Sequence, residues 1–212
     1  ISDVTYTAEF TKLEQLNGLF SAGDDTQIYF SRGNLRYTRS TDTWSFATYQ
    51  YDFVGAANTN GAELADVVDL FGWSTDGNPN TKWGISTSTN TDDYKGNFVD
   101  WGTNVIGESP ANTWRTPTGD EWIYIFTQRP NAGALYGVAQ VAGVNGLILL
   151  PDNWTGVSGI TFKSGYPTNN DNFADYQSFT LDQWNIMEAN GAVFLPQAGM
   201  RSGTQVTDYT HY

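Results

Sequence analysis

The chain has 212 residues, of which 39% are hydrophobic and 15% aromatic, and this is ample to form the core of one large domain. Its 23 acidic and 10 basic residues give a net charge of -13, which repels nucleic acids and anionic membrane surfaces at long range, so a nucleic acid is not expected as a partner. The absence of cysteine excludes disulfides, thiolate zinc sites and a cysteine nucleophile. The sequence contains no run of 18 apolar residues, so membrane insertion by this segment is not expected.

The N-terminal residues 1–17 are polar and weakly periodic, so they are predicted to form an arm or linker, with residues 18–212 forming the domain. β-Strand signals follow, in which short aromatic and β-branched runs alternate with turn residues. The runs are QIYFS, LRYT, TWSFA and YQYDFV, and they predict an antiparallel meander. Alternation of side chains places Ile28 and Phe30 on one face of the first strand and Tyr29 on the other.

Two less regular segments come after the meander. Residues 63–70 carry Leu64, Val67 and Val68 at helical spacing and predict a short helix. Residues 74–97 are rich in Ser, Thr, Asn, Gly and Asp and are too long for an ordinary connection. They are therefore predicted to be a functional or disordered loop.

The segment WRTPTGDEWIYIFTQR, residues 114–129, contains the most complete helix signal of the chain. Thr118 and Glu121 have the spacing of a capping box, in which each side chain accepts a hydrogen bond from the backbone N–H of the other residue. Arg129 and Pro130 are expected to end the helix. The apolar stripe that should pack against a sheet consists of Trp122, Ile123, Ile125 and Phe126.

The C-terminal half predicts two central strands. Residues 135–144 and 147–150 flank Asn145 and Gly146, which is the strongest hairpin signal in the chain. The apolar run LILL is expected to be buried on both faces, and the similar run AVFLP further on predicts a second central strand.

A second helix is predicted between these strands. Thr180 and Gln183 repeat the capping-box spacing and open a helix over residues 181–189, which Gly191 ends. Both helices of the chain are expected on the outer face of one small sheet.

Several motifs resemble known families. WRTPTGDEW, residues 114–122, resembles the signature of the formylglycine-generating-enzyme-like branch of C-type-lectin-like folds. The wider pattern is similar to the major paralogous domain family named after Fibrobacter and abundant in surface proteins of Bacteroidetes. It runs from about Leu19 to Thr204 and consists of IYFSRGNLRY, DLFGW, DWGTNVI, WRTPTGDEW, GVNGLILLPDNW and GAVFLPQAGMRSGT.

The resemblance implies an α+β, C-type-lectin-like fold with a small mixed antiparallel sheet, two helices and long irregular loops, located outside the cell or on its surface. Relatives continue beyond the equivalent of Tyr212 into two closing strands, so the domain is expected to lack its final strands. Enzymes of the formylglycine branch depend on active-site cysteines, which this sequence does not contain. The resemblance therefore implies the fold and not that chemistry.

Candidate catalytic groups are sparse. His211 is the only histidine and lies one residue from the end of the sequence, where a solvated side chain is expected, so neither a serine–histidine constellation nor a histidine–metal site is expected. The carboxylate pairs Asp24–Asp25 and Asp92–Asp93 have the chemistry of glycoside hydrolysis, but adjacent acids in loops are usually solvated turn formers. The chain is therefore expected not to be an enzyme, with a glycoside-active enzyme as the distant alternative.

Segments rich in Asp and Asn raise the alternative of a calcium site. The weak metal candidates are Asp76, Asn78, Asp171 and Asp175, which carry the hard oxygen donors that calcium takes. Neither cluster matches an EF-hand loop, and the sugar-binding calcium triplets of C-type lectins are absent. Turn formation is the default role of these side chains, so no cofactor is expected.

Aromatic residues in polar loops are the strongest functional hint, because exposed Trp and Tyr side chains stack on sugar rings or anchor protein partners. Trp114, Trp122 and Trp184 are expected in the core. For the loop aromatics two interpretations stay open, namely contact with a ligand and packing of the loop onto the body. The ligand-binding candidates in these loops are Trp83, Tyr94, Tyr166 and Tyr176.

In the resembled fold the segment after the AGMR strand, here residues 204–212, faces the ligand. Its further candidates are Gln205, Asp208, Tyr209 and His211. A frayed terminus is the equally weighted alternative. The predicted function is non-enzymatic recognition of a glycan or a protein outside the cell or at its surface. The alternative is a structural surface or filament subunit that a neighbouring chain completes.

Overall fold

The computed structural model describes residues 14–58, 65–71, 74–77, 96–167, 172–202 and 205–207. The β-strands are β1 (Phe20–Gly23), β2 (Thr26–Ile28), β3 (Leu35–Thr38), β4 (Thr43–Phe46), β5 (Val67–Val68), β6 (Tyr136–Val141), β7 (Val144–Leu149), β8 (Ser178–Phe179), β9 (Val193–Pro196), β10 (Met200–Ser202) and β11 (Gln205–Thr207). The helices are α1 (Gly119–Ile123), which continues as a π-helical turn over Tyr124–Gln128, α2 (Phe173–Tyr176) and α3 (Leu181–Ala189). The described chain is therefore α+β with small sheets, which confirms the predicted class.

The largest sheet in the described part of the chain has the strand order β8–β6–β7–β9. β6, β7 and β9 run antiparallel, and the two-residue β8 pairs parallel to β6. Successive residues of a strand point to opposite faces, so Ile148 and Leu149 enter different cores. Ile148 packs with Trp184 and Met187, whereas Leu149 packs with Ile125. The sheet is thus covered on both faces, as the run LILL predicts.

The two helices lie on opposite faces of this sheet, so the prediction that both cover one outer face is wrong. α3 supplies Trp184 to one core, and the π-helical turn after α1 supplies Ile125 to the other. The reason lies in the β7–β9 pair, whose residues are apolar at consecutive positions and need a cover on each side.

Local chemistry at the helix starts confirms the predicted caps. Thr118 Oγ1 accepts the N–H of Glu121 at 3.2 Å, and the Glu121 carboxylate accepts the N–H of Thr118 at 2.8 Å. Thr180 and Gln183 form the second capping box, at the start of α3. Gly191, with φ of 91°, follows the end of α3 as predicted.

The apolar stripe after Thr118 is narrower than predicted. Ile125 is fully buried, and Trp122 and Phe126 pack partly buried beside it. Ile123, which was expected to widen the stripe, is 52% exposed. A helix turns by about 100° per residue, so the position after Trp122 points away from the sheet.

Arg129 ends the helical segment and is also fully buried, which sequence reasoning missed. Its guanidinium donates to the backbone oxygens of Ile125, Leu150 and Leu135 at 2.8, 2.9 and 3.3 Å. It also donates to the carboxylate of Asp152 at 3.1 Å. Burial lowers the pKa of Arg129, and Asp152 opposes that shift. This side chain therefore joins the helix end to the residues that flank the β6–β7 hairpin.

The β6–β7 hairpin exists as predicted, but its turn does not lie at Asn145–Gly146. Ala142 and Gly143 form the turn with φ of 52° and 82°, the two positive values that a type I′ turn requires. Gly146 lies within β7, where a Cβ atom would come within 2.5 Å of the Leu195 carbonyl oxygen and of the Phe194 ring. Glycine is thus needed here for packing and not for the turn.

The meander is confirmed in part. β3 and β4 match the predicted strands LRYT and TWSFA and pair from Leu35–Phe46 to Thr38–Thr43. Tyr29 is exposed and Ile28 is partly buried against the core, as alternation predicts. The first predicted strand is shortened to β2, which pairs with β1.

The predicted strand over residues 49–54 is wrong, because these residues turn away from β4. The buried Gln50 side chain instead lies along the outer edge of β9. Its oxygen accepts the N–H of Phe194 at 2.6 Å, and its amide donates to the oxygen of Ala192 at 3.3 Å. The side chain thus takes the place of a neighbouring strand.

The predicted helix over residues 63–70 is wrong where it is described. Val67 and Val68 form β5 and pair with Thr38 and Tyr37 of β3, since β-branched side chains suit the edge of a sheet. Residues 59–64 lie outside the described residues.

Residues 14–17, which were assigned to the predicted arm, pack on the domain. Leu16 is buried, and its backbone N–H donates to the carbonyl oxygen of Phe30 at 2.9 Å. The backbone carbonyl oxygen of Glu14 accepts the N–H of Arg32 at 2.7 Å. Residues 1–13 lie outside the described residues. Among the helices that are described, none has the length and apolarity needed to cross a membrane.

Candidate functional site

A groove lies where the C-terminal end of β9 meets β3 and residues 100–117. It comprises two adjoining clefts of about 510 and 460 Å³. Both clefts are lined by Asn34, Leu35, Trp101, Thr116 and Leu195. Because they share these walls, we treat the clefts as one site and call it the aromatic groove.

Aromatic side chains form much of its wall. The first cleft is lined by Tyr29, Phe30, Phe46, Trp101, Trp114 and Trp122, and the second by Phe71, Phe98 and Trp101. Trp101 lies against Phe98 and Phe71, with ring centroids 6.1 and 5.7 Å apart. Tyr29 and Phe98 keep 47% and 59% of their surface exposed. Exposed aromatic side chains in a concave surface are typical of a ligand site.

Asp100 holds together the wall of the groove that residues 100–117 form. Its Oδ1 accepts the N–H of Gly102 at 2.7 Å and caps the short 3₁₀ helix Trp101–Thr103. Its Oδ2 accepts the N–H of Thr116 at 2.9 Å. Gly102 is required because a Cβ atom there would lie 1.7 Å from the carbonyl oxygen of Trp114. The run DWG therefore positions the central indole of the groove.

The WRTPTGDEW motif forms part of the groove wall and leads into α1. Trp114 packs edge-on to Phe46 at 4.9 Å and donates its Nε1–H to the hydroxyl of Ser109 at 3.0 Å. Arg115 donates twice to the carboxylate of Glu121, at 2.7 and 2.5 Å. Hydrogen bonding to Arg115 is the largest cause that lowers the pKa of Glu121 to about 2. The motif thus combines a capped helix start with an ion pair whose charges cancel.

The wall of the second cleft rests on a buried polar cluster. Asn58 donates to the carboxylate of Asp69 at 2.7 Å and accepts the N–H groups of Asp69 and Leu70 at 2.9 and 3.0 Å. Arg201 of β10 donates to the backbone oxygens of Leu70 and Asn58 at 2.7 and 3.0 Å. Burial lowers the pKa of Arg201. These bonds fasten the β10–β11 hairpin to the cleft wall.

The ligand residues predicted from the sequence lie elsewhere or outside the described chain. The hydroxyl of Tyr176 donates to the backbone carbonyl oxygen of Ser164 at 2.6 Å, and the Lys163 ammonium lies 5.5 Å from the centre of the Tyr176 ring. Tyr166 is 57% exposed and leans against Tyr136 at 6.1 Å. Neither tyrosine lines the aromatic groove.

The other predicted ligand residues come from the long loop and the C-terminal segment. Gln205 pairs with Ser202 in the β10–β11 hairpin. The candidates outside the described residues are Trp83, Tyr94, Asp208, Tyr209 and His211. Thr75 and Phe98 form an antiparallel bridge at the base of the long loop, so its stem begins beside the second cleft.

Two metal candidates are described, and both bond to their own neighbours. Asp76 accepts the N–H and the side-chain amide of Asn97 at 2.7 and 3.1 Å, and these bonds lower its pKa. Asp175 lies in the first turn of α2, where the Asn172 side chain accepts its N–H at 3.0 Å. The candidates Asn78 and Asp171 lie outside the described residues. Within the described ranges, no group of three His, Cys, Asp or Glu side chains is placed to hold a metal ion.

Sequence reasoning missed Trp101 and Arg115 and assigned Trp114 and Trp122 to the core alone. Both of these tryptophans are half-buried and also line the groove. One signal for the site was available in the sequence, because the alternation of side chains along the first predicted strand places Tyr29 on the face opposite Ile28 and Phe30. A scan against protein-family models and searches of curated proteins and of solved structures give no match to this chain.

Proposed function

We propose that this chain is a non-enzymatic recognition domain that binds a glycan in the aromatic groove, outside the cell or at its surface. The observation that carries the proposal is the continuous groove in which Tyr29 and Phe98 are exposed on either side of Trp101. The motif resemblance supports a C-type-lectin-like fold and membership of the Bacteroidetes paralogous family, and both belong to the proposal.

The chemistry of the walls suits a sugar. Sugar rings have apolar C–H faces that pack on aromatic rings and hydroxyl edges that need donors and acceptors. The first cleft supplies both, because neutral polar side chains lie among its aromatic residues. These polar side chains are Gln15, Gln27, Asn34, Thr113 and Thr116.

The described carboxylates that line the groove support binding rather than hydrolysis. Glycoside hydrolysis needs two carboxyl groups that flank the scissile bond, one of them with a raised pKa. Asp100 uses both oxygens for backbone N–H groups, and Asp69 accepts the N–H of Val54 and the amide of Asn58. Both acids therefore hold the walls in place.

The alternative of a structural subunit requires a sheet edge that can accept a strand from a neighbour. The outer edge of β9 does not favour it. Gln50 already bonds Phe194 and Ala192 on that edge, and Pro196 has no N–H to offer. This edge of the largest sheet is therefore a poor acceptor for a strand from a neighbour, whereas the aromatic groove supports recognition.

A glycan array with matched tyrosine variants tests the proposal. We expect wild type to bind a defined set of glycans, Tyr29→Ala to lose at least about tenfold in affinity, and Tyr166→Ala to retain binding. Both tyrosines are about half exposed, so the two variants remove the same group with similar effects on folding.

Three further measurements complete the test. Phe98→Ala probes the second cleft, thermal unfolding confirms that each variant is folded, and arrays with and without calcium separate metal-dependent binding. Absence of binding to every glycan, or equal binding by wild type and Tyr29→Ala, would contradict the proposal. Loss of binding in Tyr166→Ala alone would move the site to the loop aromatics.

A further inference from the structure

We infer that the aromatic groove selects uncharged glycans over those that carry carboxylate or sulfate groups. The inference rests on the proposed function and adds the chemical class of the ligand. Three charged side chains line the groove among the described residues, namely Asp69, Asp100 and Arg115. Each is already compensated within the protein.

Arg115 is the cation that an acidic sugar would need. Its guanidinium is held by both oxygens of Glu121, and this carboxylate also accepts the N–H of Thr118. The Glu121 side chain is 14% exposed and that of Arg115 50%. The pair as a whole carries no net charge, and an anionic ligand that approached Arg115 would have to compete with a fixed, two-pronged partner.

The two carboxylates add no demand for a cationic ligand. Asp100 is neutralised in part by the N–H groups of Gly102 and Thr116. The Asp69 side chain is 1% exposed, with Arg36 4.0 Å away. Both anions face inward to protein donors, so the surface that a ligand touches is polar and close to neutral.

The remaining polar groups suit hydroxyls. The side chains of Gln15, Gln27, Thr113 and Thr116 line the first cleft, are exposed, and form no side-chain hydrogen bond within the described part of the chain. Amide and hydroxyl groups donate and accept, as sugar hydroxyls do. A carboxylate or sulfate would lose water on entering this groove without meeting a free cation.

The test compares array glycans that share one neutral core, with and without an added carboxylate or sulfate. We expect the acidic member of each pair to bind at least about tenfold more weakly. The chain's net charge of -13 also repels anions, so the pairs are read at about 0.15 and 1 M salt, where the Debye length falls from about 8 to 3 Å. If the preference for the neutral member of each pair vanishes at high salt, it arises from the net charge of the chain and not from the groove, and the inference is overturned.

Glu121→Gln releases Arg115 while a glutamine keeps the capping box. We expect it to raise the binding of acidic members relative to neutral ones by about two- to fivefold, which is the range of an exposed ion pair. Asp182→Asn, on α3, changes the net charge equally at an exposed position outside the groove and should leave the ratio unchanged.

The outcomes separate the two proposals. Equal or stronger binding of acidic glycans, with Tyr29→Ala still inactive, overturns the charge selectivity and leaves the groove as the site. An unchanged ratio in Glu121→Gln, or the same shift in Asp182→Asn, also overturns it. Absence of binding to any glycan removes the proposed function and the inference together.

Discussion

Replacing Arg129 by methionine tests how the fold is held together. Methionine keeps most of the side-chain volume and removes the charge and the donors. The carbonyls of Ile125 and Leu150 would then lose their guanidinium partner in a buried setting. The oxygen of Leu135 still accepts the N–H of Leu150 at 2.8 Å, so its loss is smaller.

The magnitude follows from these partners. An unsatisfied buried carbonyl costs about 1–3 kcal/mol, and two of them cost about 2–6 kcal/mol. Asp152 contributes less, because its side chain is 26% exposed and also accepts the N–H and hydroxyl of Ser21. We expect Arg129→Met to lower the free energy of unfolding by about 3–5 kcal/mol, as when a buried ion pair is broken from one side.

Urea unfolding followed by tryptophan fluorescence measures the effect, with an unchanged m-value showing that the transition remains two-state. Arg115→Met is the control, since Arg115 is half exposed and should lose less than about 1 kcal/mol. If Arg129→Met loses no more than this control, the buried guanidinium does not join the helix end to the β6–β7 hairpin energetically.

Three further outcomes are expected. Thr118→Ala should lower the free energy of unfolding by about 1 kcal/mol, read from the urea midpoint, because it removes the N-cap acceptor of α1. The folded pKa of Glu121, about 2, lies below the ordinary value of 4.5, so the unfolded chain binds more protons between these values. The contribution of the Glu121 carboxylate to the free energy of unfolding should be complete above about pH 5 and should disappear as the pH falls towards 2. Urea midpoints measured across this pH range should show that loss in the wild type and not in Glu121→Gln. Ala142→Asn should raise the thermal midpoint, since asparagine tolerates the left-handed φ of 52° better than alanine, and a lower midpoint would contradict the turn assignment.

Features that depend on a few neighbouring residues were predictable from the sequence. The capping boxes at Thr118 and Thr180 each need a hydroxyl and a carboxylate or amide three residues later, and both formed. The strand β9 and the helix α3 also follow from local patterns. Together with the predicted β6–β7 hairpin, these elements account for the α+β class and for three of the four strands of the largest described sheet.

Features that depend on distant packing were not predictable. Gly146 signals a turn by its local sequence, but contact with Phe194 places it inside a strand. Gln50 sits in a strand-like run, yet its amide serves an edge that lies 144 residues away in sequence.

The groove has the same origin. Tyr29, Trp101 and Leu195 meet only once the large sheet and the segment before α1 are in contact. The hydrophobic periodicity within any one of these segments does not predict which residues of the other segments will lie beside it.

The position of Asp100 has a consequence for how a ligand would bind. Because one carboxylate ties the backbone of Gly102 to that of Thr116, the wall formed by residues 100–117 is fixed when the chain folds. Little backbone order remains to be gained on association, so the entropic cost of binding is small and the encounter resembles docking to a rigid surface. Differences in affinity among ligands should then appear mainly in their dissociation rates, with association rates nearly constant across the set.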